Sequence, residues 1–233
     1  MHRKLKEFTR TLRIPLHLLH ARRRIAEFHK RPRSIEETVE WAMHLGSKGW
    51  FKMKTVQIFS EIASLARAVA QLRPGNILEI GTARGGTLFI WSQLASMRVV
   101  SCDLKHAGVR THLYRAFPPP RSTCRVYVLT GDSHDPEFRE RVVQTFEGEP
   151  VDFLFVDGDH TEAGVEADYE DYHDLVRPGG LIAFHDIMER QPFPNNQVYH
   201  FWRRLKEKAA TAEFVADPNQ CGFGIGVVRV PGG

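Results

Sequence analysis

Short apolar runs alternate with amphipathic segments along residues 76–230. Each run is followed by a polar turn and then by a segment whose apolar residues recur at helical spacing. Strands that alternate with helices predict βαβ units and a mostly parallel sheet. The runs VDFLFV and LIAF are nearly continuous, which indicates strands that are covered on both faces.

The end of the chain has a different pattern. Two further runs, AEFVAD and GIGVVRV, are joined by a short connection that contains Pro, Asn and Gly. This arrangement predicts an antiparallel hairpin. The predicted fold class is therefore α/β: seven strands in a mostly parallel sheet, helices on both faces, and a C-terminal antiparallel hairpin.

Two helices are predicted ahead of the sheet. Ser34 and Glu37 have the spacing of a capping box, which predicts that a helix begins at SIEETVEWAMHL. Gln57 and Glu61 lie one turn apart on a second helix, predicted over residues 55–72, and are candidates to face a cleft. The apolar face of this second helix is expected to carry Val56, Phe59, Ile62, Leu65 and Val69.

The first 33 residues are basic. They contain 11 Lys and Arg against 2 Glu, a net charge of +9, so with +4 for the whole chain the remainder carries −5. Apolar residues make the segment amphipathic, and Pro15 is expected to break or kink it. The segment is a candidate for contact with an anionic membrane surface, a partner protein or nucleic acid, or for packing on its own domain or on a second copy of the chain. The apolar residues concerned are Leu5, Phe8, Leu12, Leu16 and Leu19.

These patterns divide the chain into a basic arm (residues 1–33), a helical lead-in (34–75) and a main domain (76–233). Hydrophobic residues make up 42% and charged residues 26% of the sequence, as in soluble globular proteins. No apolar run approaches the roughly 20 residues that cross a bilayer, and no signal-peptide pattern is present. Cys102, Cys124 and Cys221 form no CxxC pair, so we expect reduced thiols and a cytoplasmic protein.

The first predicted strand ends in LEIGTARGGT, which carries Glu79, Gly81 and Gly85. Glycine lets the backbone turn tightly and approach a ligand closely. Ligands of such sheets bind at the carboxyl ends of the strands. A dinucleotide fingerprint would need glycine at position 83, where Ala83 stands, so NAD is disfavoured.

Acidic residues end the next two strands. Asp103 follows Gly81 by 22 residues, a position from which a carboxylate can take both hydroxyls of a ribose. Asp132 and Ser133 end the third strand, where an adenine edge could be held. Each of these acids alone could simply cap the next helix; it is their order along the chain that favours a nucleoside site.

Together these features resemble the class I S-adenosylmethionine-dependent methyltransferases, which have a Rossmann-like fold. The resemblance covers about residues 50–230 and rests on E-x-G-x-x-x-G, the acid after strand two, GDS after strand three and the seven-strand pattern. It implies S-adenosylmethionine as the cofactor. The implied contacts are Glu79, Gly81, Thr82 and Gly85 around the methionine end, Asp103 on the ribose, and Asp132 with Ser133 at the adenine.

Ionisable residues also end the fourth and fifth strands. FVDGDH carries Asp157 and His160, and FHDI carries His185 and Asp186. Since adjacent strand ends meet at one edge of the sheet, these side chains are expected to converge. Carboxylates suit Mg²⁺, and added imidazole admits Mn²⁺, Fe²⁺ or Zn²⁺. The alternative is that Asp157 caps the next helix and the histidines are polar surface.

The second cluster resembles two groups: the metal-dependent sugar O-methyltransferases of macrolide biosynthesis and the cephalosporin-hydroxylase-like group. The resemblance implies Asp157 and Asp186 as ligands of Mg²⁺ or another divalent cation, and His160 as general base. His185 stands where those relatives have an acid, so either an imidazole is the third ligand or the metal is weak or absent. Asp159 receives no role. RPGGLIAFHDI as a whole also resembles a broader group of bacterial methyltransferases.

The sequence thus predicts an S-adenosylmethionine-dependent O-methyltransferase acting on a sugar or glycosylated small molecule, with help from a divalent cation. D-G-D-H stands where base-amino methyltransferases have D/N-P-P-Y/F, which disfavours nucleic acid as a partner, although a hydroxyl-directed RNA enzyme stays open. A methyltransferase-like module that only docks on a partner or membrane is the other alternative, disfavoured by the intact glycines and Asp103. MERQPFPNNQVYHF and the helices before residue 75 are expected to wall the acceptor site. The sequence also leaves open whether the protein forms a homo-oligomer.

Overall fold

A computed structural model describes residues 14–44, 51, 53, 55–106 and 108–232. The strands are β1 (Asn76–Ile80), β2 (Arg98–Asp103), β3 (Arg125–Thr130), β4 (Val151–Val156), β5 (Val176–His185), β6 (Thr211–Phe214) and β7 (Ile225–Arg229). The helices are α1 (Ile14–Phe28), α2 (Ile35–His44), α3 (Phe59–Leu72), α4 (Gly86–Leu94), α5 (Gly108–Tyr114), α6 (Pro136–Thr145), α7 (Glu162–Tyr172) and α8 (Val198–Lys206). The predicted fold class is confirmed by this succession of elements.

The seven strands form one sheet in the order β3-β2-β1-β4-β5-β7-β6. Strands β1 to β5 pair in parallel, and β7 runs antiparallel to both β5 and β6. The strand order reverses between β1 and β4, where Ile80 pairs with Val156. The next residues, Gly81 and Asp157, therefore leave the sheet side by side at the switch point, where ligands of such sheets bind.

Apolar side chains cover both faces of the sheet. In β1, Ile77 packs into the core beneath α1 to α5, and the next residue, Leu78, packs into the core beneath α6 to α8. All five residues of β1 are buried. Successive side chains of a strand point to opposite faces, so burial on both faces explains why the strand sequences are nearly continuous apolar runs.

The lead-in differs from its prediction at the second helix. The helix begins at Phe59, and Ile58 before it is extended, with φ −77° and ψ 137°. Val56 is therefore 60% exposed rather than packed on the core, whereas Ile62 is fully buried. The backbone N–H of Val56 donates to Oε1 of Gln57, and this side-chain bond holds the segment out of the helix.

The described part of the basic arm is α1, which packs on the main domain. Ala21, Ile25 and Phe28 are buried, and Phe28 contacts the rings of Trp41 and Phe89. Pro15 lies in the first turn of α1, where proline is tolerated. Leu5, Phe8 and Leu12 lie outside the described residues. Within the described ranges no helix is long and apolar enough to cross a membrane.

The start of α2 has the predicted capping box. Glu37 N–H donates to Oγ of Ser34 at 3.1 Å, and Ser34 N–H donates to Oε2 of Glu37 at 3.1 Å. Two backbone donors that the helix itself cannot satisfy are thereby paired.

Candidate active site

A cavity of about 480 Å³ lies at the carboxyl ends of β1, β4 and β5. One part of its wall is the turn after β1, another is the cluster of charged residues after β4 and β5, and a third is the loop after β5. The residues of the first two parts include Gly81, Thr82, Ala83, Gly86, Thr87, Asp157, Asp159, His160, Thr161, His185 and Asp186.

The turn after β1 depends on glycine. Gly81 has a φ of +99°, and a Cβ there would lie 2.0 Å from the carbonyl oxygen of Asp157. Gly85 has a φ of +75°, and a Cβ there would lie 2.7 Å from the ring of Tyr114. Only glycine combines a positive φ with the absence of a Cβ that would clash at these positions. Beside them, the Thr82 hydroxyl is buried and bonded to the Ser101 hydroxyl and the Cys102 carbonyl.

Asp103 is tied to the same turn. Its Oδ2 accepts from the N–H of Ala83 at 2.8 Å, and its Oδ1 accepts from the N–H of Lys105 at 3.0 Å. Ala83 itself has a positive φ of 44°, unusual for a residue with a Cβ. A carboxylate has about four acceptor sites, so Asp103 keeps capacity for further donors next to the cavity.

Asp132 and Ser133 lie farther along the strand ends and outside the cavity wall. Asp132 Oδ1 accepts from the N–H of His134 at 3.0 Å, which closes the turn after β3. The Ser133 carbonyl accepts from the hydroxyl of Tyr172 at 2.8 Å, which ties that turn to α7.

The four ionisable residues after β4 and β5 do converge. His185 Nδ1 lies 3.1 Å from Oδ1 of Asp157 and 3.3 Å from Oδ1 of Asp186. His160 Nδ1 lies 3.0 Å from Oδ2 of Asp186. Asp186 has a positive φ of 65°, so backbone strain turns its carboxylate toward both imidazoles. We call these four residues the carboxylate–imidazole cluster.

The charges in the cluster reinforce one another. Burial alone would lower the pKa of His185, but the charge and hydrogen bond of Asp157 outweigh it and raise that pKa to about 9. The hydrogen bond that His160 donates to Asp186 raises the pKa of His160. Burial would raise the pKa of Asp186, yet the two imidazoles lower it overall. His185 thus lies between two carboxylates that favour its protonated form.

In the structure His160, rather than His185, has the spacing of a metal ligand beside the two carboxylates. Asp157, His160 and Asp186 each offer one ligand atom, and these atoms lie within 4.8 Å of one another. His185 does not belong to this group; its Nδ1 is engaged with the carboxylates, and its buried Nε2 has no hydrogen-bond partner among the described residues. Two carboxylates and an imidazole are a suitable donor set for a divalent cation, so the cluster fits the implied metal.

A comparison with protein-family models finds a match in this part of the chain. Residues 78–187 match a family described as a methyltransferase domain. These residues are therefore similar to that domain. The match begins in β1 and ends just after β5, so it contains the glycine turn and the whole carboxylate–imidazole cluster.

Solved structures with a similar fold include O-methyltransferases. The chain is similar to the O-methyltransferase from Bacillus cereus in complex with SAH, at 22% identity and a TM-score of 0.59, covering 86% of this chain and 93% of that one. It is also similar to TomG from Streptomyces achromogenes, in complex with SAM, at 15% identity and a TM-score of 0.54, covering 87% and 92% of the chains. The mycinamycin-pathway methyltransferase MycE, with Mg, SAH and mycinamycin VI, matches at 17% identity and a TM-score of 0.59, over 86% of this chain and 54% of that one. The chain therefore spans about half the length of MycE.

Two polar side chains that support the carboxylate–imidazole cluster had weak sequence signals. Gln57 Nε2 donates to Oδ2 of Asp157 at 2.8 Å; the sequence marked Gln57 as a candidate, but on a helical face. Asn196 Nδ2 donates to Oδ2 of Asp186 at 2.6 Å and lies 3.2 Å from His160 Nδ1. No spacing rule links Asn196 to the cluster, since the loop after β5 brings it back. Asp159, which had no role, lines the cavity and accepts from the N–H of Thr161.

Glu79 does not reach the cavity. Its side chain is fully buried in β1, where it accepts from the indole N–H of Trp91 at 3.0 Å and from the hydroxyl of Ser101. Burial raises the pKa of Glu79 to about 7, although the hydrogen bond from Ser101 works against the shift. Glu79 thus supports the glycine turn from beneath, through Ser101 and Thr82.

The raised pKa of Glu79 predicts a pH-dependent cost to stability. From about pH 4.5 to pH 7 the unfolded chain loses the Glu79 proton while the folded chain keeps it, so folding stability falls as pH rises through this window. In Glu79→Gln this contribution is absent. The free energy of unfolding of the variant, relative to the natural protein, should rise by about 3 kcal/mol between pH 4.5 and 7.5. Urea unfolding at several pH values measures it, and a constant difference across that range would contradict the buried, protonated Glu79.

Proposed function

We propose that this protein transfers a methyl group from S-adenosylmethionine to a hydroxyl of a sugar or glycosylated small molecule, assisted by a divalent cation. One observation carries the proposal: the glycine turn and the carboxylate–imidazole cluster line the same cavity. A cofactor site and a proton-accepting group are thereby brought within reach of one bound acceptor.

The cofactor would lie on the glycine turn. Gly81 lets the turn pack closely against the backbone of Asp157, and the turn leads into the N-terminus of α4, whose free N–H groups favour polar ligand atoms. Asp103, fixed beside Ala83, would accept from the ribose hydroxyls, and Asp132 with Ser133 would bound the adenine. S-adenosylmethionine supplies an electrophilic methyl group when it is bound there.

His160 would be the general base. Its Nδ1 is held by Asp186, a carboxylate, so the proton of a neutral His160 resides on Nδ1 and Nε2 is the atom that accepts the acceptor's proton. The hydrogen bond to Asp186 raises the pKa of His160, which increases the basicity of the ring. The hydroxyl oxygen, deprotonated as it attacks, then takes the methyl group in line with the departing sulfur.

Asp157 and Asp186 would hold the divalent cation, beside His160. Such a cation lowers the pKa of a bound hydroxyl and so assists its deprotonation. Gln57 and Asn196 orient the two carboxylates through the bonds described above. In MycE a magnesium ion, SAH and mycinamycin VI are bound together, which supports this combination of partners here.

Isothermal titration with S-adenosylmethionine tests the foundation of the proposal. A folded sample should bind the cofactor with one site per chain. A screen of glycosides with isotope-labelled cofactor should then give a methylated product and SAH in equal amounts. Absence of any binding by protein with a native unfolding transition would refute the proposed activity.

The metal is tested separately. Chelator treatment should lower turnover at least about tenfold, and Mg²⁺ or Mn²⁺ should restore it. Asp186→Asn should weaken Mn²⁺ binding at least about tenfold by titration. Asp159→Asn is the matched control, because Asp159 lines the same cavity but does not belong to the ligand-spaced group. Full activity of the chelated enzyme would remove the metal from the proposal and leave the methyl transfer standing.

A further inference from the structure

A buried carboxylate of the lead-in lies behind the cavity wall. Glu61, in the first turn of α3, is only 1% exposed. Its Oε1 accepts from the N–H of Ala216 at 3.1 Å and from Nε2 of Gln220 at 2.7 Å, and its Oε2 accepts from the N–H of Gly224 at 3.0 Å. All three donors belong to residues 215–224, which we call the β6–β7 connection.

The β6–β7 connection ends in a strained stretch that faces the cavity. Gly222, Phe223 and Gly224 have φ values of 79°, 62° and 80°. A left-handed conformation is costly for phenylalanine and persists only where the surroundings hold it. Phe223 lines the cavity, and its ring centroid lies 6.1 Å from that of His185. The bond from Gly224 to Glu61 restrains the chain immediately after Phe223.

The same stretch is bonded to residues 186–193, which we call the β5 loop. Met188 N–H donates to the carbonyl of Phe223 at 3.1 Å, and Ile187 N–H donates to the carbonyl of Gly224 at 3.4 Å. A Cβ on Gly222 would lie 2.7 Å from the ring of Pro192. The β5 loop begins with Asp186 of the cluster and includes Gln191, Pro192 and Phe193 of the cavity wall.

We infer that Glu61 is a positioning residue: its carboxylate fixes Phe223 and, through Phe223, the β5 loop that carries Asp186 and the acceptor side of the cavity. The inference rests on the proposed function for its catalytic meaning. Glu61 touches neither the cavity nor the reacting atoms. It acts through hydrogen bonds from two backbone N–H groups and the Gln220 side chain. The lead-in thus anchors the cavity wall twice, since Gln57 also bonds to Asp157.

The test compares two carboxylates that each accept three hydrogen bonds, one behind the cavity and one at the opposite ends of the strands. In Glu61→Gln one of the two carboxylate oxygens is replaced by an amide nitrogen, which cannot accept a hydrogen bond. At least one bond to the β6–β7 connection is therefore lost. The matched control is Asp152→Asn. Asp152 accepts from the N–H groups of Gly75 and Asn76 and from Arg177, at the amino ends of the strands and away from the cavity.

Hydrogen exchange followed by mass spectrometry is the readout, because it needs no acceptor. In Glu61→Gln we expect exchange about tenfold faster both in the β6–β7 connection and in the β5 loop, with β1 and β4 unchanged. Asp152→Asn should speed exchange near residues 75 and 177 and leave the β5 loop protected. Gln220→Ala removes only one of the three hydrogen bonds to Glu61. It should speed exchange in the same two segments by a smaller factor, and it provides the test if Glu61→Gln folds poorly.

Binding and turnover complete the test. SAH titration should give Glu61→Gln a Kd within about twofold of the natural protein, since the connection does not touch the glycine turn. With any acceptor found by the cofactor screen, KM should rise about tenfold, whereas in Asp152→Asn it should not. Faster exchange confined to residues 215–224, or spread evenly over all peptides, would overturn the inference. Failure of the natural protein to bind SAH would instead refute the proposed function, and the exchange pattern would still decide whether Glu61 positions the loop.

Discussion

His160→Ala is expected to lower kcat for methyl transfer by about 10²–10³-fold while the Kd of S-adenosylmethionine stays within about twofold. His160 is the cavity histidine whose Nδ1 is oriented by Asp186 and whose pKa is raised by that bond. A methyl transfer to an unactivated hydroxyl requires removal of a proton, and the alanine variant has no group at that position to remove it. Cofactor binding should persist because the glycine turn lies on the other side of the cavity.

Two further variants sharpen this result. His160→Gln keeps a side chain that can bond to Asp186 but cannot take a proton, so it should be as slow as His160→Ala. His200→Ala is the matched control, because His200 is an exposed histidine of α8. Turnover is measured as SAH formed with the acceptor from the cofactor screen. A near-normal rate in both His160 variants would exclude His160 as the base, and weaker Mn²⁺ binding in them would make it a metal ligand instead.

Gly81→Ala is expected to abolish cofactor binding, with Kd raised by about 10²-fold or more, and to lower the free energy of unfolding by about 2–4 kcal/mol. The new Cβ would lie 2.0 Å from the carbonyl oxygen and 2.4 Å from the carbonyl carbon of Asp157. Backbone atoms must then shift, which separates the ends of β1 and β4. One substitution therefore displaces both the glycine turn and Asp157, because the two meet where Gly81 contacts the Asp157 carbonyl.

Gly148→Ala is the matched control for this prediction. Gly148 also has a positive φ, of 83°, but a Cβ there would meet nothing within 4 Å. The control therefore carries the conformational penalty of about 1 kcal/mol without the clash. Urea unfolding and titration with SAH measure both effects. Equal losses of stability in the two variants, with cofactor binding kept in both, would show that the close contact at Gly81 is not required.

The regular part of the fold could be predicted because its signal is local. Each strand of the parallel sheet is a run of apolar residues that must be buried on both faces, and each run is followed by a helical pattern. The exception, residues 55–58, shows the limit of that signal. Val56 fits the apolar face of a helix, yet the side chain of Gln57 bonds to its own neighbour's N–H and to Asp157, 100 residues away in sequence, and the segment stays extended. A long-range hydrogen bond leaves no trace in a periodic pattern.

The candidate site was predictable where residues end strands, and less so where loops supply them. Gly81, Asp103, Asp157, His160 and Asp186 follow apolar runs, so their meeting at one edge follows from parallel strands alone. Asn196 and Phe223 reach the same cavity from loops, whose paths depend on tertiary contacts. The two imidazoles show the difference in detail: the sequence favoured His185 beside the carboxylates as a ligand, and the structure gives the ligand spacing to His160.

Local sequence patterns specify the order of strands and helices, the glycine turn and the presence of two acids and two histidines at neighbouring strand ends. These follow from local burial and from conformations that only certain residues adopt. Tertiary structure alone decided the roles within that set. It placed Glu79 beneath the turn instead of in the cavity, set His185 between two carboxylates, and bonded Glu61 to residues 155 to 163 positions away. Such roles depend on distances and on burial, and both arise only when distant segments pack together.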